Sequence, residues 1–268
     1  MGNEPAIVRR HPSRDDETFD VPAAVLCACC GQPDCAGCTP ATEEGSGVVA
    51  VVPWERHTDG TWTRLWSTAK ATTLGANTFF AALPDGAILP AMRFAVLAEG
   101  LAVLSMLAAL LPLGAIALPG LTLELAQNPS ARASAARWLL FGVPCLVTWM
   151  ILAHAAHGAA LDLGASRQGA HPARRRALRF GLYACGWDLM TGPLGALFVL
   201  FSEGRKRMND LLSAAVRAPR TASNAYLEGI HALPPAAAAR AQRTGSIAAA
   251  ALAVISGFAI ITALALLL

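Results

Sequence analysis

Four apolar runs, extending from about Ala91 to Leu118, Trp138 to Ala156, Phe180 to Phe201 and Ser246 to Leu268, leave this chain essentially one class of fold. The hydrocarbon core of a bilayer, about 30 Å thick, is crossed by roughly 20 helical residues. A backbone in lipid must satisfy its own hydrogen bonds, which selects helices. Burying all four runs inside a soluble protein would require a polar shell, yet 54% of the 268 residues are hydrophobic, 15% are charged and the mean hydropathy is +0.46. What remains of the chain is too small to cover them. The expected fold is all-α: a polytopic transmembrane helical bundle with a small N-terminal cysteine-rich, zinc-knuckle-like cytoplasmic region.

The runs divide the chain into three parts. Residues 1–52, rich in Pro, Gly and small polar residues, read as an irregular arm around the cysteines. Residues 53–90 read as an amphipathic interfacial segment. Its helix starts near Asp59 to Thr61, places Trp62, Leu65, Trp66, Ala69 and Thr73 on one face, is followed by Phe79 and Phe80, and ends before Pro84 to Gly86. Tryptophan favours the headgroup level, where its ring is buried and its N–H stays wet. Residues 91–268 form the transmembrane domain, with spans at about 91–118, 138–156, 180–201 and 246–268. An amphipathic stretch, 203–243, lies before the last span, with Leu211, Leu212, Ala215 and Val216 on one side and interruptions expected at Pro219 and at Pro234 and Pro235.

Charge orients these parts. A net charge of +3 is too small for a nucleic-acid partner, and the arginines flank apolar runs, where they set membrane orientation. Lys70 and Lys206 are the exceptions among nearly all-Arg basic residues, and alanine is abundant, as in GC-rich bacterial genomes. The start of the chain lacks the apolar core and cleavage site of a secretory signal. Together these place the protein in the bacterial cytoplasmic membrane with a cytoplasmic N-terminus. Four plain crossings would put the loop of Arg167, Arg174, Arg175, Arg176 and Arg179 opposite the basic stretch of Arg205, Lys206, Arg207, Arg217, Arg220, Arg240 and Arg243. The conflict disappears if the third run enters and leaves on one side, which Gly186, Asp188, Gly192, Pro193 and Gly195 permit. The C-terminus would then lie outside.

Five of the seven cysteines fall in Cys27-Ala-Cys29-Cys30-Gly31-Gln-Pro-Asp-Cys35-Ala-Gly-Cys38. The two CxxC knuckles, Cys27/Cys30 and Cys35/Cys38, supply four thiolates, and Gly31 and Gly37 allow the tight turns that aim sulfur at a shared cation. One zinc ion held by Cys27, Cys30, Cys35 and Cys38 is the preferred reading. Cys29 could replace a ligand, and an iron–sulfur cluster or a patch of reduced thiols would use the same residues. Cys145 and Cys185, inside apolar runs, read as small core residues.

Asp188 stands out as the acidic residue inside an apolar segment, where a charge must be paired, neutral or facing a cavity. His154 and His157 stand one turn apart, with Asp162 just beyond. With Asp188 they could form a proton relay or a metal site. The plainer reading, preferred on sequence, puts the histidines at the interface and uses Asp188 to bond a broken helix. No phosphate loop, nucleophile elbow or zincin helix is present, so a non-enzymatic role is expected. Ala249, Ala253 and Gly257 recur at four-residue spacing, as in helix packing or homo-oligomerisation.

From Trp66 to the C-terminus the chain resembles the bacterial branch of the Yip family, the Rab-GTPase-interacting type of multi-span membrane protein. The resemblance rests on Phe79-Phe80-Ala-Ala-Leu-Pro, Ala91-Met-Arg93-Phe-Ala, Ala177-Leu-Arg-Phe-Gly-Leu-Tyr183-Ala-Cys, Gly192-Pro-Leu-Gly195 and Glu228-Gly-Ile-His231-Ala-Leu. It implies five spans with a cytoplasmic N-terminus and a role in membrane organisation or recruitment, and transfers no catalytic residue. Here an amphipathic stretch stands where a fourth full span would be. The cysteine segment resembles half of a B-box-type zinc knuckle without its histidines. The expected function is an adaptor held in the lipid bilayer that recruits an unidentified protein partner at the cytoplasmic face. The alternative is a small transporter or membrane enzyme using Asp188 with His154 and His157.

Overall fold

The computed structural model describes Val25–Cys27, Val48–Ala50, residues 52–56 and residues 58–267, with the backbone alone for the two N-terminal segments and for residues 264, 266 and 267. The described residues are almost wholly helical. The exception is a short antiparallel pair, β1 (Val25–Cys27) with β2 (Val48–Ala50), in which Cys27 faces Val48.

A 3-10 turn, Pro53–Glu55, leads to α1 (Thr61–Thr73) and α2 (Ala76–Ala81). The long α3 (Ile88–Ala117) follows, then α4 (Pro119–Gln127) and α5 (Pro129–Arg137). A π-helical turn, Trp138–Gly142, joins α5 to α6 (Val143–Ser166). Pro144 has no N–H to offer the preceding turn, and the wider turn accommodates that gap. The chain then forms α7 (Arg174–Ala184), α8 (Gly186–Thr191), α9 (Pro193–Gly229) and α10 (Pro235–Leu267).

Among the described residues, three helices are long and apolar enough to cross a membrane: Ile88–Ala117, Pro129–Ser166 and Pro235–Ala263. A fourth is added if the pair Arg174–Thr191 and Pro193–Gly229, bent by 67°, counts as one span. Gly192 is extended and Pro193 opens α9. Proline drives the residue before it out of the α region, so the sequence itself dictates this break.

The molecule has two unlike ends. At the packed end, α1, α2, α7, α8, the first half of α3, the second halves of α6 and α9 and the start of α10 share one core, which includes Phe80, Phe94, Phe180, Tyr183, Leu211 and Tyr226. At the apolar end, the second half of α3, the π-helical turn with the first half of α6, and the second half of α10 expose Leu111, Ile116, Leu140, Leu152, Val254, Ile255 and Phe258. Buried helices would not show this. Of the apolar windows of Pro129–Ser166 and Pro235–Ala263, 6% is buried.

Helices α6 and α10 run antiparallel in close contact. A Cβ on Gly164 would strike the Ala241 carbonyl, one on Gly245 would lie 2.9 Å from the Ala160 carbonyl, and Trp149 Nε1 donates to Ser256 Oγ at 3.0 Å. This register brings the end of α10 to the same side as the α4–α5 hairpin.

Three local expectations change. The face of α1 is covered by protein: Leu65, Trp66, Ala69 and Thr73 are buried and Trp62 alone of that set is exposed. Pro219 does not interrupt α9, which bends instead at Gly204, where φ is 81°. Leu211 is buried whereas Leu212 and Val216 are exposed, so they do not share one apolar face.

Candidate functional site

The site begins with a crossing too close for side chains. A Cβ on Gly158 of α6 would collide with the carbonyl of Ala177, and one on Gly181 of α7 with the carbonyl of His154. The two helices therefore touch backbone to backbone, one turn from His154. After α7 the chain turns at Cys185 and enters α8, which is pinned from the other side. Trp187 Nε1 donates to the Thr72 carbonyl at 2.8 Å, and a Cβ on Gly186 would collide with Thr72 Oγ1. This fixes Asp188 opposite His154.

His154 Nε2 lies 2.8 Å from Asp188 Oδ2 and 3.4 Å from Glu99 Oε1. Glu99, on α3, is wholly buried, and no donor stands in full hydrogen-bond geometry to either of its oxygens. Its other ionisable neighbours are Asp188 and the Cys185 thiol. Buried carboxyl groups are normally paired, ligating or neutral, and the nearest basic group to Glu99 is His154. Among the described residues, Glu99, His154 and Cys185 bring an oxygen, a nitrogen and a sulfur within 4.8 Å of one another.

Asp188 also reaches into a cleft of about 280 Å³ between α3 and α6, lined by Val103, Met106, Leu110, Leu146, Met150 and Gly192. The site's depth follows from the α6–α10 register. Between the Ala160–Gly245 and Trp149–Gly257 contacts, His154 stands level with Leu252. That is about 9 Å along α10 from Ser246 at 1.5 Å per residue, inside the apolar stretch.

The structure thus joins His154 with Asp188 but not with His157 or Asp162. His157 Nε2 lies 3.3 Å from Ser223 Oγ. Asp162 accepts from the Ala173 N–H at 2.7 Å and lies 3.5 Å from His231 Nε2, tying the loop before α7 to the end of α9. Asp188 is not the single acid inside an apolar run, because Glu99 is buried in the first. Cys185 is buried within the core as expected, and its sulfur is one of the three atoms that converge at the site.

A second polar cluster lies nearby. Arg179, counted above among loop charges, is fully buried. Its Nη2 pairs with Glu55 Oε1 at 2.9 Å, its Nη1 donates to the Ala87 carbonyl at 2.6 Å, and Tyr183 donates to Glu55 at 2.6 Å.

Of the four cysteines assigned to zinc, Cys30, Cys35 and Cys38 lie outside the described residues, and for Cys27 only the backbone in β1 is described. Comparison with protein families, with curated proteins and with solved structures gives no match for this chain.

Proposed function

We propose that this is a multi-pass bacterial cytoplasmic-membrane protein of transporter type, which binds a cation at Glu99, His154 and Asp188. One observation carries the reading: a carboxyl group fully buried at the depth of an apolar helix stretch and facing His154, Asp188 and the Cys185 thiol. Ionisable groups inside membrane segments mark ion pathways. Sites of this type are built where a helix is interrupted, and the Gly192–Pro193 break lies four residues after Asp188. The cleft between α3 and α6 supplies a path to Asp188.

The test is flux in vesicles containing the purified protein, read by pH-sensitive and metal-sensitive dyes trapped inside. Asp188→Asn and Glu99→Gln should each abolish a flux that the wild type supports. A wild-type flux in both variants, or none from any form, removes the transport reading.

A second reading keeps the adaptor role, with a Yip-like membrane domain and a cytoplasmic knuckle of Cys27, Cys30, Cys35 and Cys38 around one zinc ion. What favours it is the β1–β2 pairing, which sets Cys27 opposite Val48 and so brings together the two ends of the segment that contains the remaining knuckle cysteines. Cys30→Ser with Cys35→Ser should then remove bound zinc and partner capture while membrane insertion persists. Unchanged metal content in that double variant would exclude the knuckle.

A further inference from the structure

We infer that the intramembrane site takes a borderline-soft divalent metal ion of the zinc type, with Glu99, His154 and Cys185 as ligands and Asp188 at the fourth corner. This names the substrate class of the site and rests on the cation-binding reading above.

The donor set comes first. A carboxylate oxygen, an imidazole nitrogen and a sulfur converge within 4.8 Å. Hard ions such as Mg²⁺ and Ca²⁺ prefer all-oxygen shells, whereas sulfur and imidazole select zinc and its neighbours. A site for a proton or an alkali cation gains nothing from a thiol.

The spacing agrees. Two nitrogen or oxygen ligands, each about 2.0–2.1 Å from a tetrahedral zinc ion, stand roughly 3.3 Å apart. His154 Nε2 and Glu99 Oε1 are 3.4 Å apart and are not hydrogen-bonded, since Glu99 Oε1 has no such partner. That separation fits an edge of a coordination tetrahedron. Asp188 Oδ2, at 2.8 Å from the same nitrogen, is at hydrogen-bond distance. With its side chain one-third exposed, it has room to move to the fourth corner when an ion occupies the nitrogen.

Burial supplies the independent observation. Glu99 is completely enclosed with no donor in full hydrogen-bond geometry on either oxygen, and Cys185 beside it is also completely enclosed. The Cys185 thiol donates to the Gly181 carbonyl at 3.9 Å, and a divalent ion between the thiol and the carboxylate would displace the thiol proton to bind both. The crossing at Gly158 and Gly181 and the clamp on α8 hold the ligands on separate helices, so the site is built by the fold.

The probe is Co²⁺, whose visible bands report tetrahedral geometry and whose near-ultraviolet charge-transfer band reports a bound thiolate. The full chain is used with Cys27, Cys29, Cys30, Cys35 and Cys38 all changed to Ser, so that any sulfur band arises inside the membrane domain. We expect one tetrahedral cobalt site, with a charge-transfer band that Cys185→Ser removes and Cys145→Ser leaves. Zn²⁺ should displace the cobalt and Mg²⁺ should not. Glu99→Gln and His154→Ala should weaken binding by at least about tenfold, while His157→Ala should leave it intact. Each variant is compared only as a monodisperse detergent-solubilised protein.

Absence of a cobalt spectrum, or a spectrum that survives both Cys185→Ser and His154→Ala, overturns the assignment. If cobalt is absent but an Asp188-dependent flux of protons or monovalent cations remains, the metal inference alone fails. If both are absent, the cation-binding reading fails with it.

Discussion

His154 and Asp188, 34 residues apart in sequence, meet at 2.8 Å because α6 and α7 touch along their backbones and α8 is clamped against α1. The same imidazole nitrogen faces Glu99 at 3.4 Å. One nitrogen thus stands between two carboxylates brought by different helices, and the arrangement depends on how closely those helices approach.

That dependence makes the glycine crossing a sensitive point. Gly181→Ala would drive a methyl group into the His154 carbonyl, and backbone cannot yield as a flexible side chain does. Overpacking of this kind costs about 1–3 kcal/mol, and here the upper part of that range is expected. Thermal unfolding in detergent should show a clearly lowered midpoint. Any cation binding at His154 should weaken with it. Gly100→Ala, whose added Cβ meets nothing within 4 Å, serves as the control and should lower neither, since alanine favours a helix interior over glycine.

The Arg179 cluster anchors the segment before α1 to α7. Glu55→Gln leaves the buried guanidinium without its counter-charge. Breaking a buried pair costs about 3–5 kcal/mol; because the Glu55 side chain is 25% exposed, about 2–3 kcal/mol is expected after discounting for solvent. Tyr183→Phe removes one donor to the same carboxylate and should cost about 1 kcal/mol. Equal midpoints for Glu55→Gln and wild type in chemical or thermal unfolding would show that the pair does not hold the segment.

The helices were legible in sequence where length and apolarity suffice. The runs that contain α3, α6 and α10 need no tertiary information, because lipid allows little else. The interruption at Gly192 was equally plain, since proline constrains the residue before it. The site was only half legible. His154 and Asp188 could be picked out, but their meeting depends on the Gly158–Gly181 approach, which leaves no periodic signal. Glu99, an acid inside the first apolar run, carried the same signal as Asp188, but nothing in the sequence says that the two meet. Arg179 looked like one more arginine of a basic loop, because its partner Glu55 lies 124 residues earlier and in a different segment. Cys185 carried no signal of its own, as a lone cysteine in an apolar run is ordinary core.

Acid should loosen the packed end through His231. Its side chain is buried, and burial lowers its proton affinity below the ordinary value, although the Asp162 carboxylate 3.5 Å away acts in the opposite direction. In the window between the folded value and about pH 6.5, the folded chain binds fewer protons at this group than the unfolded chain. Its contribution to stability is therefore complete above about pH 6.5 and declines as the pH falls. Thermal midpoints measured on either side of that pH should decrease on acidification. His231→Gln should flatten the dependence; an identical slope in the variant would assign it to other groups.

The orientation of the whole molecule can be read from its charged ends. Arg240 donates to Gln168 at 3.1 Å, and Gln242 to the Arg220 carbonyl at 3.4 Å. The start of α10, the loop after α6 and the second half of α9 therefore share the packed end, together with Arg167, Arg174, Arg175 and Arg176. At the other end, the α4–α5 hairpin carries Arg132 and Arg137. Basic residues favour the cytoplasmic side, so the packed end should face inward. From Ser246 to Leu267, α10 extends about 33 Å at 1.5 Å per residue, enough to carry the C-terminus across. Alkaline phosphatase fused to the C-terminus, which is active only outside, should be active, and green fluorescent protein at the same place should be dark. Ser130→Cys should react with an impermeant thiol reagent in intact cells, whereas Arg174→Cys should react only after permeabilisation. A dark phosphatase fusion with a bright fluorescent one would invert the orientation and place the Arg174–Arg176 cluster outside.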